Sequence, residues 1–188
     1  QATKVVCSGE IRQTLQRGNF QLRREEYFEL VGMKTAALFA LACELGASLT
    51  NEDDQPMQKN LREYGKLLGT AFQIYDDCLD VFGTEDAAGK SLGTDLATGK
   101  ATLPMLLALE QATEIERKSW LAMLQAGESQ AVAVRERLIA EGIPAAGRAV
   151  VADFIAQAVS VVGSLLGPSE PLVVLSESLN RQLALLDD

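Results

Sequence analysis

Between Phe72 and Phe82 the chain reads FQIYDDCLDVF, so Asp76, Asp77 and Asp80 follow closely on Gln73. At roughly 100° per residue, Asp77, Asp80 and Asp76 fall at about 40°, 340° and 300° from Gln73 on a helical wheel. Phe72, Tyr75, Cys78, Leu79 and Phe82 take the opposite side, between about 140° and 260°. Carboxylates sharing so narrow a stripe repel one another in a bare protein. A hard divalent cation, ligated by oxygen and tolerant of water in its shell, removes that repulsion. A solvated acidic face has the same spacing, and the stripe alone does not separate the two readings.

Walking back by threes and fours, the same stripe carries Thr70, Gly69, Lys66 and Arg62. Glycine inside a helix costs about 1 kcal/mol relative to alanine. Gly69 therefore implies something that approaches the backbone closely, whether a ligand or a neighbouring helix. After the acids comes GKSLGTDLATGKATLP, in which Lys90 and Lys100 each follow a glycine. Such a loop suits ammonium groups brought to an anion, although a glycine-punctuated surface loop with solvated lysines would look similar. It contains neither GxxxxGK[ST] nor GxGxxG. Acids that attract a divalent cation, followed by paired lysines, point to a phosphate or diphosphate ligand.

FQIYDDCLD with GKSLGTDLATGKATLP resembles the second aspartate-rich region and following loop of the trans-isoprenyl diphosphate synthases, the polyprenyl synthetases. GEIRQ at Gly9–Gln13 and EEYFELVGMKTAALFALACELGA, which contains Lys34-Thr35, agree with the same family. The resemblance runs from about Gly9 onward, with few diagnostic positions in the last eighty residues.

It implies that Asp76 and Asp80 help to hold one Mg²⁺ (or Mn²⁺) of a diphosphate site, with Asp77 in the same acidic cluster. Lys90 would bind the allylic diphosphate, and Lys100 would support the same anionic end. Lys34, the Thr35 carbonyl and the Gln73 side chain would lie beside the cleaving C–O bond and stabilise an allylic cation. The reaction implied is the condensation of isopentenyl diphosphate with an allylic prenyl diphosphate, through ionisation, condensation and elimination. The resemblance also implies a homodimer. Two other classes share the chemistry or the frame: a class I terpene cyclase, and a non-catalytic subunit of a heteromeric prenyl synthase. The intact lysine loop favours elongation over cyclisation, and retention of Lys34, Gln73, the aspartates and both lysines disfavours a degenerate subunit.

The family's first aspartate-rich motif and its N-terminal isopentenyl diphosphate-binding lysine and arginines have no counterpart. Asp53-Asp54 and Asp187-Asp188 do not match that motif. The expectation is a single all-helical domain fragment over residues 1–188, the C-terminal portion of a longer enzyme and inactive by itself.

Composition agrees. The 188 residues are 47% hydrophobic and 23% charged, enough for a packed helical core. The absence of histidine rules out histidine acid–base chemistry and His-ligated zinc in this chain. A net charge of −9 argues against nucleic acid and against anionic lipid surfaces. Three widely spaced cysteines suggest no disulfide framework and fit a cytoplasmic setting. No apolar run is expected to reach membrane-spanning length.

The elements needed to position these residues read as helices almost throughout. Helical periodicity predicts segments over 2–16, 23–49, 55–82, 102–112, 115–125, 129–141, 144–167 and 170–186, with Asp53 or Asp54 capping the third. Nothing alternates at period two. The fold class is therefore all-α, an antiparallel bundle like the isoprenoid synthases, with the site between facing helices. The stretch 150–166 is apolar enough to be expected mostly buried, as part of a subunit contact.

Overall fold

The computed structural model describes residues 2–50, 54–85, 89, 91–163 and 171–183, and among these every regular element is helical. In order they are α1 (Ala2–Leu15), α2 (Arg24–Val31), a π-helical turn (Gly32–Ala36), α3 (Ala37–Thr50), α4 (Gln55–Phe82) and α5 (Thr94–Ala97). Then come α6 (Leu103–Gln111), α7 (Glu114–Gln125), a 3₁₀ turn (Gly127–Gln130), α8 (Ala131–Ala140), α9 (Ile143–Gly163) and α10 (Pro171–Gln182). The expected all-α class is what the fold shows, and most predicted boundaries lie within two residues of the observed ones. The predicted ends at 164–167, 170 and 184–186 lie outside the described residues.

The axis of the bundle is α4. Asp54 caps it, its side chain accepting from Met57 N at 2.9 Å, and Pro56 fits the first turn, where a missing N–H costs nothing. Asp53 lies outside the described residues. At the other end Gly83 N donates to Leu79 O and the chain turns extended. One face of α4 packs on α3 and another on α9, with α10 closing against α9. Tyr64, Ile74 and Cys78 are fully buried in that core, and Tyr64 anchors α10 by donating to Leu172 O at 2.7 Å.

The glycines of α4 are explained by this packing. A methyl on Gly69 would lie 2.8 Å from Ala36 Cα, and one on Gly65 would lie 2.7 Å from the Phe39 carbonyl carbon and 2.9 Å from Ala40 Cα. The close neighbour at Gly69 is thus the preceding helix. Gly65→Ala should gain about 1 kcal/mol of helix propensity but lose typically 1–3 kcal/mol to overpacking against backbone that cannot swing away. A thermal melt should show Tm lowered by a few degrees, at about 2–4 °C per kcal/mol for a chain of this size. A Tm at or above the parent value would contradict the close-contact account.

Two expectations need correction. Along α9, only Val151, Ile155, Ala158 and Val162 are buried between positions 150 and 163, because a single face of that helix meets α4. Two helical stretches, Arg24–Leu49 and Ile143–Gly163, are also long and apolar enough to cross a membrane by length and composition. Their alanine, valine and leucine content raises the average without forming an unbroken apolar run. Both contribute one face to the common core through residues such as Leu30, Ala40, Ile143 and Val151.

Candidate functional site

The site gathers where the π turn, α4 and the loop after α4 meet. In the π turn, the N–H of Ala37 donates to the carbonyl of Gly32, five residues back. One such turn inside an α-helix shifts the following side chains relative to the preceding ones, and it is frequent at functional positions. Here it falls on Gly32-Met33-Lys34-Thr35-Ala36 and sends Lys34 and Thr35 to different neighbours. Thr35 Oγ1 lies 2.6 Å from Gln73 Oε1 on α4. Lys34 Nζ turns to α1, 2.9 Å from Gln13 Oε1 and 3.1 Å from Glu10.

On α4 the three aspartates have three environments. Asp77 is fully buried. Its Oδ2 accepts from Tyr27 Oη at 2.8 Å, and its Oδ1 accepts from Gln73 Nε2 at 2.9 Å and Lys100 Nζ at 2.8 Å. Asp80 is also buried and is held by the loop, accepting from Thr94 N at 3.3 Å, Thr94 Oγ1 at 3.1 Å and Asp95 N at 3.0 Å. Asp76 is the partly exposed member.

The loop reaches these acids because Gly93 adopts φ +74°, a left-handed conformation natural to glycine, which opens the short helix α5. Gly93 N also donates to the Asp80 backbone carbonyl at 2.9 Å. Gly99, at φ +69°, accepts from Gly18 N at 2.7 Å and ties the loop to the α1–α2 connection. Lys100 then returns to α4, its ammonium also 2.8 Å from Asp95. Lys90 lies outside the described residues.

The electrostatics follow from burial. One ammonium faces two carboxylates, so the Asp77–Lys100–Asp95 group is left negative. Burial and the Asp77 charge push Asp95 up to about 6, although Lys100 opposes them. Burial alone would lower Lys100, but Asp77 and Asp95 outweigh it and raise it above the ordinary lysine value. Burial, then Asp77, hold the Tyr27 phenol well above its usual range, so it stays a donor. Cys78 is pushed up by burial and then by Asp77. It points to the opposite side of α4, where a methyl on Gly147 would lie 3.0 Å from its sulfur.

The structure thus brings together Thr35, Gln73, Asp77, Lys100 and Asp80, the last through Asp95. It leaves the Lys34 side chain against α1 and commits the Lys100 ammonium to two carboxylates. Among the described residues no three carboxylate, thiol or imidazole side chains converge as a ready metal cage. The donor set is still suited to a hard cation: oxygen only, a residual negative charge, and one partly exposed carboxylate beside two buried ones. Mg²⁺ usually takes one or two carboxylates and completes its shell with water and phosphate oxygens.

Sequence reading missed two members. Tyr27 stands seven residues before Lys34, but the intervening π turn breaks the helical register, so no spacing signal places it near the site. Asp95 was visible only as part of the loop motif.

Comparison with known proteins finds a match to the polyprenyl synthetase family over residues 1–141. A short chain isoprenyl diphosphate synthase of Methanothermobacter thermautotrophicus is 38% identical over 138 residues, covering 73% of this chain and 40% of that protein. Component 2 of heptaprenyl diphosphate synthase from Geobacillus stearothermophilus is 43% identical over 104 residues, covering 55% of this chain and 32% of that protein. A polyprenyl synthase from Caulobacter crescentus, solved with calcium and isoprenyl diphosphate, superposes with a TM-score of 0.82 at 32% identity over 98% of this chain and 56% of that one. The chain therefore spans well under two thirds of the length of these relatives.

Proposed function

The chain belongs to the polyprenyl synthetase family, and from that premise we propose that it supplies one wall of the active site of a trans-prenyltransferase. The reaction joins isopentenyl diphosphate to an allylic prenyl diphosphate. The allylic C–O bond breaks, the diphosphate leaves with the electron pair, and the double bond of isopentenyl diphosphate forms the new C–C bond. Loss of a proton restores a double bond and gives the longer prenyl diphosphate. The observation that carries this reading is the continuous path from Thr35 through Gln73 and Asp77 to Lys100, beside the partly exposed Asp76.

Each residue has a role in that reading. Asp76, with Asp80 behind it, would hold a divalent cation, which when bound neutralises diphosphate oxygens and eases departure of the leaving group. Asp77 serves as the buried anchor of the cluster. Lys100 supports the anionic end by fixing Asp77 and Asp95, and Lys90 contacts the diphosphate. The oxygens of Thr35 and Gln73 place partial negative charge where the allylic cation develops. Lys34 lies at the same turn and steadies α1 against it.

The family's first aspartate-rich motif, which has no counterpart among these 188 residues, would supply the facing wall. The exposed leucines of α3, Leu38, Leu45 and Leu49, recur at helical spacing, and α1 adds exposed Ile11 and Leu15. Such an apolar surface suits a second copy of the chain. The test is an assay of the complete protein with an allylic diphosphate, labelled isopentenyl diphosphate and Mg²⁺, alongside its mass by light scattering. Label in a longer prenyl diphosphate and a dimeric mass are expected. A cyclic hydrocarbon, or no incorporation, would refute the elongation reading, and a monomeric mass would refute the dimer.

A further inference from the structure

We propose that Tyr27 is a positioning residue for the Gln73 side chain, a reading that rests on the prenyl-transfer function above. Tyr27 is buried at the end of the first turn of α2, and its hydroxyl donates to Asp77 Oδ2. An ionised carboxylate only accepts hydrogen bonds, so the Gln73 group facing Asp77 Oδ1 must be the amide NH₂. The amide oxygen is then the end that faces Thr35 Oγ1. That orientation puts the Gln73 carbonyl dipole, rather than its N–H donors, on the side of the π turn. For a site that develops positive charge on its substrate, the other orientation would be the wrong sign.

The orientation is only as firm as the Asp77 carboxylate. Lys100 and Gln73 both pull on Oδ1, and Tyr27 is the partner on Oδ2. Without the phenol, Oδ2 loses its tether to α2, and the carboxylate can tilt about its Cβ–Cγ axis toward Lys100, carrying Oδ1 out of line with the Gln73 amide. Gln73 is then released to turn over. The effect reaches the reacting carbon through two intervening side chains, and Tyr27 touches neither substrate.

Tyr64 provides an internal control. It is equally buried on α4, but its hydroxyl bonds to Leu172 O and Ser176 Oγ on α10, away from the aspartates. Tyr27→Phe should lower kcat roughly ten- to a hundredfold with KM for the allylic diphosphate nearly unchanged, as loss of a supporting hydrogen bond does at organised sites. Tyr64→Phe should leave kcat unchanged even if it lowers Tm.

The second readout needs no activity. In the ¹⁵N spectrum of the 188-residue chain, the Gln73 side-chain NH₂ pair, assigned by its loss in Gln73→Leu, should be protected from exchange. It should shift and lose protection in Tyr27→Phe but not in Tyr64→Phe. A parent-like Gln73 resonance in Tyr27→Phe, or a parent-like kcat, would overturn the proposal. If the parent protein transfers no prenyl group, the functional reading falls, and the resonance still decides whether Tyr27 holds Gln73.

Discussion

Asp77→Ala is expected to destabilise the chain by about 3–5 kcal/mol, the usual cost of removing one partner from a buried ion pair. The cause lies in what stays behind. Among the described residues the Lys100 ammonium keeps Asp95 alone, and the buried Tyr27 hydroxyl and Gln73 amide lose the acceptor they share. Each stranded donor pays its own desolvation. Urea titration should show a lower midpoint with an unchanged slope, the signature of lost stability without a change in exposed area. Loss of less than about 1 kcal/mol would mean that the Asp77 cluster is not the structural anchor of the site. Because Tyr27, Gln73 and Lys100 come from α2, α4 and the loop, the same substitution should also loosen all three elements together.

Asp76→Ala should behave in the opposite way. Asp76 is partly exposed, next to an acid that carries the buried network. Its loss should change stability by no more than about 0.5 kcal/mol, as for most surface substitutions. Turnover of the complete protein should fall by roughly two to three orders of magnitude, the range seen when one preorganised electrostatic contact to a developing charge is deleted. Parallel measurement of kcat and of the urea midpoint separates the two aspartates: Asp77→Ala moves both, Asp76→Ala moves kcat alone. Near-parent turnover in Asp76→Ala would remove the carboxylate from any metal or diphosphate role.

Much of this was legible beforehand because helices announce themselves locally. The period of apolar residues and the polar break at Asp53-Asp54 placed most helix boundaries among the described residues to within two residues, and the i, i+1, i+4 spacing put the three acids on one stripe. Their unequal fates were not legible. Asp77 and Asp80 differ from Asp76 through partners 14 to 50 residues away, and a helical wheel carries no information about those. The π turn was hidden for a related reason. Gly32-Met33-Lys34-Thr35-Ala36 has ordinary helical composition, and the extra residue in the turn is fixed by packing on α1 and α4. Gly69 was read as a point of close approach, but only the bundle reveals that the visitor is the backbone of Ala36 and the side chain of Phe39. Lys100 looked like a free cation for an anionic ligand. Its position after a left-handed glycine returns it to the acids instead.

The central claim is that the α4 acids are where a divalent cation and a diphosphate meet. It is tested most directly by adding Mn²⁺ with inorganic pyrophosphate to the ¹⁵N-labelled chain and mapping paramagnetic broadening. Signals of Asp76, its neighbours on α4 and the Thr35 turn should be bleached at Mn²⁺ levels that leave the Trp120 indole on α7 sharp. Asp76→Ala should abolish that selectivity. Uniform broadening, or broadening centred away from Asp76 in the parent chain, would contradict the account.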